Sequence, residues 1–259
     1  MRNLVARRGL LFQLVRRDFE QRFVGSAAGW VWGLIHPMVL LGSWTYVFSV
    51  CLKQKLPPGQ PGNYPLFLFA GQLPWLLFSE TVQRSSSSLV EQAGLITKTV
   101  FPAEMVPLSV FLSSLISHLL ALVLMIAAAG IWVHSIGPVL ILLPIYMLLL
   151  GLFAVGIGWI VAALQVYLRD TAQVVTVMLT VWFWMTPILI TEQQVPKSFR
   201  VLLWANPLVG LVRAYRQLLL ATQAPGWRET GLMATYGLAA FFLGGLVFRH
   251  LKRGFADVL

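Results

Sequence analysis

The stretch EQAGLITKTVFPAEMVP, residues 91–107, decides how this chain is read. Gly94, Pro102 and Pro107 punctuate it, and Glu91, Lys98 and Glu104 charge it, while the segments on both sides are long and apolar. Backbone that cannot complete a helix has no water to bond in hydrocarbon, so this stretch belongs outside the bilayer. A polar interruption between two spans is a place that another protein can touch.

The rest of the composition makes lipid the solvent. The chain has 259 residues, 58% of them hydrophobic and only 11% charged, with a mean hydropathy of +0.78. Soluble domains carry about 25% charged residues, so the polar surface for a water-soluble globule is missing. The fold class expected is an all-α polytopic membrane protein, one transmembrane domain over residues 1–259. The net charge of +10 sits mainly beside apolar segments, which points to anionic headgroups and membrane orientation rather than to nucleic acid. The single cysteine, Cys51, excludes an internal disulfide and a cysteine metal cluster. The basic N-terminus precedes an apolar run of spanning length with no small-residue cleavage site, so no removable signal peptide is expected.

Working outward, six transmembrane helices are expected over 30–51, 64–89, 107–133, 138–164, 174–190 and 230–248. Trp30, Trp32 and His36-Pro37 stand where the first begins, and Pro74 should kink the second. KQKLPPGQPGN (53–63) is a Pro/Gly loop, HSIG (134–137) a tight turn, and QVYLRD (165–170) a second polar interruption. Ala154, Gly158 and Ala162, four apart, form a small-residue stripe that lets helices approach closely. Residues 10–23, LLFQLVRRDFEQRF, place Phe12, Val15, Phe19 and Phe23 on one helical face and Arg16, Arg17, Glu20 and Gln21 on another. A basic amphipathic helix of this kind lies in the membrane interface; GSAAG (25–29) breaks it. Pro207–Ala221, bounded by Asn206 and by Pro225-Gly226, is apolar but short. Fifteen helical residues reach only ~22 Å, against a core of ~30 Å, so this region reads as a re-entrant or surface-lying helix pair. Of nineteen lysines and arginines, twelve fall on the side of the two termini if there are six spans; both termini are therefore expected in the cytoplasm.

No G-x-x-x-x-G-K-[ST] phosphate loop occurs, so this chain does not bind ATP in that way. The four histidines are scattered, there is no HExxH, and no acidic pair is spaced like a sugar-transferase metal site. A catalytic residue, a metal and a cofactor of its own are all read as absent.

In its order of parts the chain resembles the transmembrane subunit of an ABC-2 type exporter, most of all the permeases that export lipid-linked O-antigen and related polysaccharides such as teichoic acid. The matching stretches are GWVWGLIHP (29–37), LFAGQLPWLLFSE (68–80), LITKTVFPAEMVPLS (95–109), YLRD (167–170), FWMTPI (183–188) and NPL (206–208), nearly the whole chain in sequence order. The resemblance implies a homodimer coupled to two copies of a separate ATPase, which holds ATP and Mg. It also implies residence in the plasma (inner) membrane. The 91–107 segment would hold a cytoplasmic coupling helix, with Thr97, Lys98, Thr99, Val100, Phe101 and Pro102 at the contact. Arg169 and Asp170 would make a second, smaller contact, and 10–23, with Arg16, Arg17, Asp18 and Glu20, would lie against the ATPase. The 206–222 region would be a pair of short re-entrant helices closing the external side of the pore.

Alternatives stand beside each of these. Lys98 and Glu104 either meet charges on the ATPase or belong to a solvated loop. Arg169 and Asp170 either touch the ATPase or cap the fifth helix, Asp170 at its N-terminus. Trp75, Phe78, Trp182, Phe183 and Trp184 either line a sugar pathway or pack and face lipid. Arg213 and Arg216 either snorkel or meet the diphosphate that joins polymer to lipid. Glu80 and Arg84, four apart, can pair, and His118 suits a helix-packing hydrogen bond. Three rival functions are an ABC-2 exporter of small amphipathic drugs or lipids, a membrane-bound lipid-sugar transferase and a non-transporting scaffold.

Overall fold

Apolar runs of this length fold as helices because a bilayer leaves each segment to satisfy its own backbone. The computed structural model describes residues 8–22, 29–56, 62–98, 101–133 and 137–258, and every regular element among them is helical. Phe23, most of GSAAG, 57–61 of the Pro/Gly loop, 134–136 of the tight turn, and Thr99 and Val100 lie outside the described residues.

Helix α1 (Arg8–Gln21) is followed by a short 3-10 turn and α2 (Trp32–Trp44), which continues as a π-helical segment to Cys51. The long α3 (Tyr64–Glu91) starts at a cap where the Asn63 side chain accepts from the Leu66 amide at 3.0 Å. Pro65 sits in its first turn, where the missing N–H costs nothing. The short α4 (Ala93–Lys98) precedes α5 (Met105–Trp132); a 3-10 turn from Pro138 leads into α6 (Leu143–Tyr167), and α7 (Thr171–Met185) follows. Two short helices come next: α8 (Arg200–Ala205) and α9 (Pro207–Arg216), the latter extended by a π-helical turn to Ala221. The chain then runs through α10 (Trp227–Leu251), a 3-10 turn (Lys252–Gly254) and α11 (Phe255–Val258).

Three stretches, Met105–Trp132, Pro138–Tyr167 and Trp227–Gly254, are long and apolar enough to cross a membrane, and Ile35–Cys51 and Thr171–Met185 are shorter apolar helices. Although α3 has 28 residues, about 42 Å of helix, its C-terminal half is polar. Its surface is turned inward: Gln72, Thr81, Ser85, Ser86 and Ser88 are all buried. It is the central post, packed against α5, α6, α7 and α9.

The most extensive packing joins α6 to α10. A Cβ on Gly156 would lie 2.3 Å from the Ala240 carbonyl oxygen, and one on Gly244 would lie 2.1 Å from the Gly156 carbonyl oxygen. The backbones touch, which only glycine allows. The expected stripe of Ala154, Gly158 and Ala162 is also buried, with Gly158 facing Ser85 of α3. Thus α6 has two small-residue faces, one for each neighbour.

Element ends shift by a few residues throughout, and two differences change the reading. The fifth apolar helix stops at Met185 rather than 190, because Thr186 precedes Pro187 and takes extended backbone (φ −101, ψ 128); proline disfavours helical geometry in the residue before it. The expected pair within 206–222 is instead α8 paired with α9 across Asn206, and 207–221 is a single helix ending at Thr222 in left-handed geometry (φ 49).

Candidate functional site

One end of the bundle gathers the charged elements. The short α4 presents Thr97 outward, its hydroxyl bonded to the Ala93 carbonyl at 2.9 Å, and Lys98 is its last residue. Phe101 packs partly against the core, and Pro102 accepts from the Met105 amide at 2.9 Å to close the turn into α5. Glu104 is held by this chain itself, its carboxylate 2.6 Å from Lys252 Nζ. Arg169 and Asp170 are exposed at the link between α6 and α7. Asp170 makes no side-chain cap; instead the Gln165 side chain accepts from the Ala172 amide at 2.7 Å. The two charged side chains therefore project from a turn that another residue holds.

Helix α1 has three faces rather than two. Leu14 is buried against α5, Phe12 is exposed, and Arg16 and Glu20 pair at 2.7 Å on the outer face. Asp18 does not belong to that outer face. It accepts from Arg84 at 2.7 Å and lies 3.7 Å from Arg22, which in turn reaches Glu80 at 2.5 Å and donates to Ser114 and Ser117 of α5. Glu80 and Arg84 approach only to 3.9 Å; each has a better partner on the α1 side. Burial pulls the Arg22 guanidinium below its ordinary pKa, opposed by Glu80 and Asp18. The four charges fasten α1 to α3 and α5.

Beside this network opens a cavity of about 670 Å³ between α2, α3, α5 and α7, lined by Trp32, His36, Trp75, Gln83, Thr180 and Phe183 among others. Trp75 and Phe183 lie with ring centroids 5.5 Å apart on its wall. Behind them, Phe78 is fully buried between Phe153 and Trp182, at 5.3 and 5.2 Å. Trp184 points away and is 71% exposed. The five aromatics thus divide into two cavity residues, two packing residues and one outward-facing ring.

At the other end, the α8–α9 pair is clamped. Asn206 caps α9 through the Leu208 amide (3.1 Å), accepts from the Trp182 indole (2.9 Å) and donates to the Thr186 hydroxyl (2.9 Å). Arg213 grips Glu192 with two nitrogens, at 2.9 and 2.6 Å, and also pairs with Glu229. Arg216 donates to the carbonyls of Phe67, Pro187 and Ile188, and its guanidinium lies 3.5 Å over the Phe67 ring. His118 and Tyr215, both buried, join at 3.1 Å. Both arginines are partly exposed, yet their guanidinium groups are taken up by carboxylates and carbonyls, and both hold the hairpin.

Sequence reading passed over Arg22, Lys252 and Asn206 as chemistry. Only Asn206 had a local signal, the Asn-Pro pair that starts a helix. The closest partners of the other two, Glu80 for Arg22 and Glu104 for Lys252, lie too far along the chain for any local period to show.

An ABC-2 type transporter family pattern matches residues 9–220. The chain is 30% identical over 264 residues to the O-antigen export system permease protein RfbA of Myxococcus xanthus, covering 99% of this chain and 98% of that one. It is 28% identical over 254 residues to the protein of that name from Klebsiella pneumoniae, covering 96% and 95%. Identity to the polysialic acid transport protein KpsM of Escherichia coli is 25% over 248 residues, 91% of each chain. The all-helical bundle and the matched stretch, which runs from α1 through α9, lead to one assignment: this chain belongs to the ABC-2 type transporter family.

Proposed function

We propose that this chain is the permease subunit of an ATP-driven exporter that moves lipid-linked polysaccharide, O-antigen or a similar polymer, out of the cytoplasm. Similarity along almost the whole chain to permeases named for O-antigen export carries this reading. The missing phosphate loop supports a separate ATPase that holds ATP and Mg. Two copies of each subunit would form the transporter in the inner membrane.

Six spans would be α2 continued to Cys51, α3, α5, α6, α7 carried on through residues 186–190, and α10. Both termini, α4 and the Arg169–Asp170 turn would then share the cytoplasmic side, and the α8–α9 pair would sit externally. In this reading α4, with Thr97 and Lys98 and the following Thr99–Pro102, is the coupling helix. The outer face of α1, Arg16, Arg17 and Glu20, flanks the ATPase. The exposed face of α7, including Val174, Val177 and Val181, would meet lipid or the second copy. The dimer would then close the cavity into a pathway, with Trp75 and Phe183 offering ring faces to sugars without a tight site. Phe78 and Trp182 would support that wall, and Arg213 and Arg216 would fix the external hairpin rather than meet the diphosphate.

The test is reconstitution. In proteoliposomes, hydrolysis should appear only when the partner ATPase is added, and deletion of this chain should leave lipid-linked polymer inside the cell. Hydrolysis by this chain alone, or normal surface polymer in the deletion strain, would overturn the assignment. Export of only small amphipathic molecules would favour the drug or lipid rival.

A further inference from the structure

We propose that the C-terminal turn, residues 252–258, is a positioning element that holds α4 and the Tyr167–Asp170 turn in fixed relation for the ATPase. This rests on reading those two segments as the ATPase contacts. At the end of α10, Arg249 and His250 suit the negative end of the helix dipole, and a tail that only balanced charge could run on into water. Instead the chain folds back through a 3-10 turn into α11.

Three fastenings hold the fold-back. Lys252 Nζ lies 2.6 Å from the Glu104 carboxylate, in the turn that leads out of α4. The Tyr167 hydroxyl donates to the Leu251 carbonyl at 2.7 Å, from the last residue of α6. The Phe255 ring is 2% exposed, edge-on to Phe248 at 5.5 Å and 6.2 Å from Tyr167. Gly254 sits so close that a Cβ there would be 2.6 Å from the Tyr167 oxygen. Helix α11 also lies against both α4 and α6.

The turn therefore touches both candidate contacts at once. Glu104 is further tied to α6, its backbone carbonyl accepting from the Trp159 indole at 3.0 Å. A push on α4 passes through Glu104 and Lys252 into α10, which touches α6 backbone to backbone. An ion pair this exposed adds little to stability. Its value here is directional: it sets where the turn after α4 sits relative to the last span.

The experiment uses the full complex with its partner ATPase in proteoliposomes, reading polymer exported per ATP hydrolysed. Lys252→Glu and Glu104→Lys should each lower that ratio about 3- to 5-fold, the range an exposed ion pair can supply. Permease level and ATPase co-purification should not change. The double reversal should restore most of the ratio, Lys252→Arg should match the parent, and Phe255→Ala should fall like the single reversals. An unchanged ratio in Lys252→Glu and Phe255→Ala, or a double reversal no better than the singles, overturns the proposal. Thr97→Asp on α4 separates the two claims. If it lowers the ratio while the C-terminal variants do not, only the positioning role falls. If it too is silent, the α4 contact falls and the positioning role falls with it.

Discussion

At the scale of single residues, the structure turns two sequence liabilities into fasteners. An arginine in an apolar hairpin costs several kcal/mol unless it is paired, and Arg216 has three carbonyls and an aromatic face. That arrangement needs Gly71, since a Cβ there would lie 2.6 Å from the Arg216 nitrogen. Gly71→Ala improves intrinsic helix propensity by about 1 kcal/mol, yet we expect it to lower the melting temperature of the detergent-purified protein. The clash is with a side chain that cannot leave without abandoning three carbonyls. Arg216→Lys should also destabilise, by about 2 kcal/mol, because an ammonium can neither fork to three acceptors nor stack. If either variant melts at or above the parent temperature, the clamp is not what holds this hairpin. None of this was legible beforehand: Arg216 and Phe67 stand 149 residues apart, and Gly71 reads locally as an ordinary helix glycine. The same holds for Asp18, expected with Arg16, Arg17 and Glu20 in the helix lying against the ATPase but seated 2.7 Å from Arg84.

At the scale of elements, hydropathy makes the helices visible because each is decided by its own segment, whereas which faces touch is decided by its neighbours. The stripe of Ala154, Gly158 and Ala162 is four-spaced and readable. The second face, Gly156 against Ala240 and Gly244, shows only when α10 is in place. The end of α7 is the reverse case, since Pro187 was available to mark it and the apolar run hid the signal. Substitutions can separate packing glycines from idle ones. Gly244→Ala pushes a methyl into the Gly156 carbonyl and should destabilise by about 1–3 kcal/mol. Gly231→Ala, in the same helix with nothing within 4 Å, should be neutral or stabilise by up to about 1 kcal/mol. Thermal unfolding of both variants in one detergent measures the difference. Equal shifts would mean that the α6–α10 contact is looser than the backbone distances say.

At the scale of the whole molecule, family membership and the all-helical class were legible from the order of apolar and polar stretches, because a bilayer imposes both. Orientation is a separate matter, and it rests on charge. Twelve of nineteen lysines and arginines fall on the side of the termini under six spans. Two of the opposing seven, Arg213 and Arg216, are engaged by this chain's own carboxylates and carbonyls. On the terminal side Arg16, Arg22, Arg84 and Lys252 are engaged in the same way, so internal pairing leaves the asymmetry, and the expectation of cytoplasmic ends, where it stood. The one cysteine offers a direct reading, since Cys51 is exposed at the far end of α2 from α1. In intact cells stripped of their outer barrier, a membrane-impermeant maleimide should label Cys51 in the unaltered chain. Carried in a Cys51→Ser background, a cysteine replacing Asp170 should react only after the inner membrane is opened. The reverse pattern would invert the molecule and place α4 where no ATPase can reach it. That outcome would leave family membership standing and remove the coupling role of residues 91–107.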